Sequence, residues 1–219
     1  MERKKNLCDK EEVIMSKANT DIKLFNKWSF KEIQIPDWTL ETYINLKPII
    51  IPQSCGRHEH RRFWKTTRVS IIERVINRIL APGFIASKIK GRKSSYNSGK
   101  KNKLIKMMKN AFILIELNTG KNPIQVVIDA ICNSAPREET TRIAMGGISY
   151  ASAVDISPQR RVDLGIKYIV QAISARSHSN ERDFAANLAQ ELILAADNSQ
   201  ESRAVKRKDE IERIAVSAR

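Results

Sequence analysis

From Ile72 to Ala215 the apolar residues recur three and four positions apart, the spacing that gathers them on one side of an α-helix. Ile72, Ile76, Ile79 and Leu80 form the first stripe, stopped by Ala81-Pro82-Gly83. Leu104, Met108, Ala111, Phe112 and Ile115 form a second, with Gly120 placed to end it. Asn122 followed by Pro123 is a capping residue ahead of a proline at the first helical position, and it opens a third helix. Ser157 and Pro158 repeat the device before a fourth, on which Val162, Ile166, Ile169, Val170 and Ile173 share a face. Asn180, with Asp183 three residues on, predicts a cap for a fifth. The sixth, from Arg203, carries only a thin stripe of Ile211, Ile214 and Ala215 and is expected at the surface. Gly165 inside the fourth helix costs about 1 kcal/mol relative to alanine. A close helix contact would offset that; otherwise the helix is weaker there.

Two stretches break this period. Residues 21–53 hold Trp28, Phe30, Trp38 and Tyr43 among short apolar alternations interrupted by Pro36, Pro48 and Pro52. Extended segments and a short helix packed over the core fit this better than bases stacking on the rings, because the aromatics alternate with Ile and Leu rather than with Lys and Arg. Around Gly146-Gly147 the pattern is that of a β-hairpin, since both positions of the favoured two-residue turn need positive φ. Folding there pairs Met145 with Ile148, Ile143 with Tyr150, Thr141 with Ser152, Ala144 with Ser149 and Arg142 with Ala151. One face is bulky and apolar, the other small. With no further strand nearby, the ribbon is expected to project, with Arg137, Arg142, Arg160 and Arg161 clustered at its root. The fold class is therefore mainly α: a bundle of about six helices, a protruding two-stranded hairpin at about 139–156, and an irregular N-terminal extension. Residues 1–20 read as a flexible extension and 21–219 as one domain.

Charge decides what such a molecule would bind. The chain carries a formal net charge of +15, and residues 57–109 alone hold 16 Lys/Arg against 2 Asp/Glu. Mixed signs would serve solubility; a concentrated block predicts a polyanionic partner. Within it, residues 87–101 are rich in Ser, Gly and Lys without period, a mobile basic loop expected to order on its partner. His58 and His60 suit phosphate contacts or loop packing, and Phe63 and Trp64 either anchor that loop to the core or stack on a base. Cys55, His58 and His60 lack a fourth ligand at a recognisable spacing, so neither a metal nor any other cofactor is expected. Cys8, Cys55 and Cys132 are too scattered for a disulfide framework, and Cys132 reads as a small buried hydrophobe. Nothing resembles a signal peptide or a membrane span, which predicts a cytoplasmic protein without a membrane partner. No Walker loop, GxGxxG or GxSxG is present, and only Glu59 and Glu73 interrupt the basic block. An enzyme is not expected.

Five blocks carry a family likeness: "GRHEHRRFWK", "ERVINRILAPG", "GKNPIQVVIDAI", "APREETTRIAMGGISYASAVDISPQRRVDLG" and "KRKDEIERIAVSAR". Together they resemble the universal small-subunit ribosomal protein family numbered seven in bacteria and five in animals, and most nearly its archaeal form. The chain departs from the pattern at Met145, Lys167 and Ser177. The resemblance implies a helical body with a projecting hairpin, bound to the 3′ major domain of small-subunit rRNA in the cytoplasmic ribosome. It also implies a part in assembling the head, a neighbour in the small-subunit protein numbered eleven, and a place near the mRNA exit path and exit-site tRNA. By position, the rRNA contacts it implies are Arg57, Arg61, Arg62, Lys65, Arg68, Lys100, Lys101 and Lys103, joined by Arg137, Arg142, Arg160 and Arg161. The hairpin tip, Met145, Gly146, Gly147, Ile148 and Tyr150, would face mRNA or tRNA. A free tRNA- or mRNA-binding regulator is the alternative.

Overall fold

The computed structural model describes residues 22–31, 33–54, 61, 64–81, 97–177 and 183–219. Two single-turn helices, α1 (Trp38–Glu41) and α2 (Lys65–Arg68), precede α3 (Ile71–Leu80), α4 (Lys101–Thr119) and α5 (Pro123–Ser134). Strands β1 (Glu138–Met145) and β2 (Ile148–Asp155) follow, then α6 (Pro158–Ser177), α7 (Phe184–Ala196) and α8 (Arg203–Ser217). The architecture is mainly α with one antiparallel ribbon, as the periodicity requires.

Local chemistry sets the helix ends where it was expected to. The Asn122 side chain accepts the Ile124 N–H ahead of Pro123, and Gly120 closes α4 in the left-handed region at φ 66°. Asp183 stands at the cap position of α7 without a side-chain capping hydrogen bond, and Asn180 lies outside the described residues. Ser202 caps α8 by accepting from the N–H groups of Ala204 and Val205, while its own hydroxyl donates to buried Glu191.

The predicted stripes of α3, α4 and α6 converge on one core, which α5 and α7 also share. Burial of these Ile, Leu, Val, Met and Phe side chains, each contributing about 1.5–3 kcal/mol, is what holds the bundle together. Gly165 permits a close approach: a Cβ there would lie 2.9 Å from the Ile131 carbonyl oxygen, so α5 and α6 pack backbone against backbone. Along α8 the expected stripe is half right. Ala215 is buried and Ile211 partly so, whereas Ile214 is exposed and Ala204 and Val205 do the packing instead. Cys132 packs from a partly buried position, and burial pushes its thiol up to about 11.

Of the N-terminal aromatics, Trp28 anchors the segment. Its ring meets Phe25 and Phe112 edge-on at 6.1 and 5.4 Å, and its indole N–H donates to Glu116 at 3.1 Å. Phe30 and Tyr43 pack partly buried against the same core. Trp38 does not: it is 81% exposed, because the single turn of α1 buries Leu40 and aims position 38 outward.

The hairpin has the expected register, from Met145↔Ile148 at the turn to Glu138↔Asp155 at the root. Gly146 and Gly147 sit at φ 59° and 83°, the two positive values the tight turn needs. No further strand joins it among the described residues. Its root is tied to the body at three points: the Arg137 N–H donates to Glu212 on α8 at 2.9 Å, Arg160 on α6 pairs with Glu139 at 2.8 Å, and Arg219 pairs with Glu138. Farther out, Ile143 and Tyr150 remain exposed on one face.

Candidate nucleic-acid interface

Beside the hairpin root, α3 and α6 part to leave an open cleft of about 750 Å³. Arg74, Asn77 and Arg78 reach it from α3 at spacings of three and four, the polar complement of that helix's apolar stripe, and Ala81 lines it just past the helix end. Arg160, Asp163 and Lys167 reach it from α6, and Lys65 from α2. Five cations thus face one another across the cleft with a single carboxylate among them.

That carboxylate makes the crowding tolerable. Asp163 Oδ1 lies 2.5 Å from Lys65 Nζ and 3.0 Å from an Arg74 terminal nitrogen. Burial alone would raise the Asp163 pKa, but the hydrogen bond and charge of Lys65, with Arg74, hold it below the usual carboxylate range. Arg74 is buried and also donates to the Tyr43 carbonyl oxygen at 2.7 Å, so it props the cleft floor. Burial lowers the pKa of Arg74 and Arg78, yet a guanidinium keeps its charge at neutral pH. Arg160 is 57% exposed, and the hydrogen bond and charge of Glu139 raise its pKa further. Guanidinium forks and two ammonium groups around an open groove are the donors that phosphate oxygens accept.

The structure sorts the sequence-predicted contacts. Arg57 and Arg62 lie outside the described residues, as do Cys55, His58, His60 and most of the basic loop. Arg61 and Arg68 are exposed at the start and end of the turn that carries Lys65 into the cleft, and Arg68 lies over the Trp64 ring, 4.4 Å from its centroid. Lys100 and Lys103 are exposed at the start of α4, but Lys101 turns inward to buried Glu73 at 2.6 Å. Glu73 also accepts from the Ser54 N–H and hydroxyl, so Lys101 serves the fold.

The four arginines do not form one cluster. Arg137 is exposed at the root, Arg142 stands halfway along β1, and Arg160 lines the cleft. Arg161 points the other way, donating to Asp37 at 2.7 Å and Thr39 at 2.8 Å, where it holds α1 to the body. Adjacent helix positions diverge by about 100°, which sends the two neighbours apart. Sequence reasoning missed Arg74, Asn77, Arg78, Gln159 and Lys167. The spacing of the polar residues on α3 was the signal that would have found the first three.

Residues 40–219 match the family described as ribosomal protein S7p/S5e, a span that contains the whole cleft and both strands. The chain belongs to the S7p/S5e family. S7p/S5e proteins are structural ribosomal components rather than enzymes. A relative, the small ribosomal subunit protein uS7 of Methanosphaera stadtmanae, is 43% identical over 196 residues, covering 90% of this chain and 98% of its own. The archaeal likeness of this S7p/S5e chain therefore runs through nearly its full length.

Proposed function

We propose that this chain is a component of the small ribosomal subunit in the cytoplasmic ribosome, where it binds the 3′ major domain of the small-subunit rRNA and helps the head assemble. Its hairpin lies near the mRNA exit path and exit-site tRNA, and the small-subunit protein numbered eleven is among its neighbours. The observation that carries this reading is the five-cation cleft at the hairpin foot of an S7p/S5e chain. Phosphates of a folded RNA enter the cleft against Arg78, Arg160 and Lys167, while Arg61, Arg68, Lys100 and Lys103 extend the positive surface outside it.

Binding of a 3′ major domain fragment, titrated at several salt concentrations, tests it. Affinity is expected to fall steeply with salt, because each neutralised phosphate releases condensed counterions. Lys167→Ala should weaken binding and shallow the log–log slope by about 1. A salt-insensitive affinity, or a slope unchanged in that variant, would remove the cleft from the interface. Failure to co-sediment with small subunits would favour a free RNA-binding regulator instead.

A further inference from the structure

The three tryptophans occupy different settings. Trp28 is 4% exposed and spends its N–H on Glu116, as a core indole does. Trp38 is exposed at the first position of α1, between the Asp37 cap and Glu41, surroundings that do not invite a phosphate-bearing ligand. Trp64 is 36% exposed and immediately precedes Lys65, which lines the cleft. The α2 turn places Trp64 and Arg68 four residues apart on one face, with the Arg68 N–H bonded to the Trp64 carbonyl oxygen at 3.0 Å. The Arg68 guanidinium lies over the indole, so a planar cation is held against a planar ring while remaining open to solvent. Arg61, one turn earlier, is exposed as well.

We propose that Trp64 and Arg68 form a stacking platform for one unpaired nucleobase of the bound RNA, at the rim of the phosphate cleft. This rests on the RNA-binding reading above and adds to it a preference for single-stranded over fully paired RNA. Bases splayed from a folded RNA stack on aromatic rings and on guanidinium planes, and every base offers a π-face. The phosphates flanking such a base would meet Lys65 and Arg61.

Two probes test this with the full chain: a 12-nucleotide single-stranded RNA with 2-aminopurine at its centre, and a 12-base-pair RNA duplex. Binding to the wild type is expected to quench 2-aminopurine emission. Trp64→Ala should abolish the quenching and weaken single-strand binding about tenfold, leaving duplex affinity within about twofold and the salt slope unchanged. Trp64→Phe should retain most of both signals. Arg68→Lys, which keeps the charge and loses the plane, should hold duplex affinity and lose the single-strand preference. Equal weakening of both RNAs by Trp64→Ala, or an unchanged quenching signal, would overturn the platform. A wild type that binds neither RNA at low salt would overturn the RNA-binding reading itself, and the platform with it.

Discussion

Arg160 and Arg161 leave α6 in different directions, and the same substitution should therefore have different effects at the two positions. Arg161→Ala strips the partner from Asp37 and the donor from Thr39, and should lower unfolding free energy by about 2–3 kcal/mol in a urea titration. Arg160→Ala loses only an exposed pair with Glu139, so stability should stay within about 0.5 kcal/mol. Its rRNA binding should weaken by about 1.5–3 kcal/mol. Unfolding of the Arg160 variant, or normal stability of the Arg161 variant, would show the assignment reversed. The sequence holds part of this distinction. The phase of Val162, Ile166, Ile169 and Ile173 puts 160 opposite the core and 161 on its flank. The partner Asp37 was not legible, because it lies 124 residues away in a segment with no period to place it.

At the scale of elements, the close crossing of α5 and α6 makes an opposite pair of forces measurable. Gly165→Ala gains up to about 1 kcal/mol of helix propensity. Its methyl would nevertheless press on the Ile131 carbonyl oxygen at 2.9 Å, a backbone atom that cannot swing aside. Net destabilisation of about 1–2 kcal/mol is expected in denaturant unfolding; a stabilised variant would mean the helices separate freely. The hairpin presents the converse case, since its described bonds to the body all lie at the root. Removing Thr141–Ser152 should leave the thermal midpoint of the body within a few degrees, while a collapsed body would show that the ribbon supports the core. Six helices and the strand register were legible because their signals are repeated or unambiguous: apolar stripes, capping residues at helix starts, and a double glycine whose φ values allow one kind of turn. A short helix among residues 21–53 was expected and is α1, though its bounds were not legible; the α2 turn was not expected at all, being shorter than the period that would reveal it. Ile214 misled for a related reason, since on a mostly polar helix a stripe of three apolar residues does not fix which side faces in.

Across the whole molecule, three carboxylates fasten distant parts of the chain: Asp37 to α6, Glu73 to the start of α4, and Asp163 to α2 and α3. Burial would raise the pKa of each, yet their hydrogen bonds and cationic partners hold all three below the ordinary carboxylate value. A depressed folded-state pKa means that the unfolded chain takes up the proton first as pH falls. The stabilisation is therefore complete above the unfolded value, about 4, and fades as the pH drops through the lower folded values. Thermal midpoints should be flat near neutrality and fall steeply below about pH 4, with Asp163→Asn flattening that fall and lowering the plateau. A midpoint that holds constant down to pH 2 would deny these anchors their role. The ribbon, for its part, counts its rungs outward from the body, with successive rungs facing opposite ways. Lengthening it by a single rung near the root would turn the greasy Ile143 and Tyr150 flank to the opposite side of the ribbon; only an added pair of rungs would carry the same flank farther out.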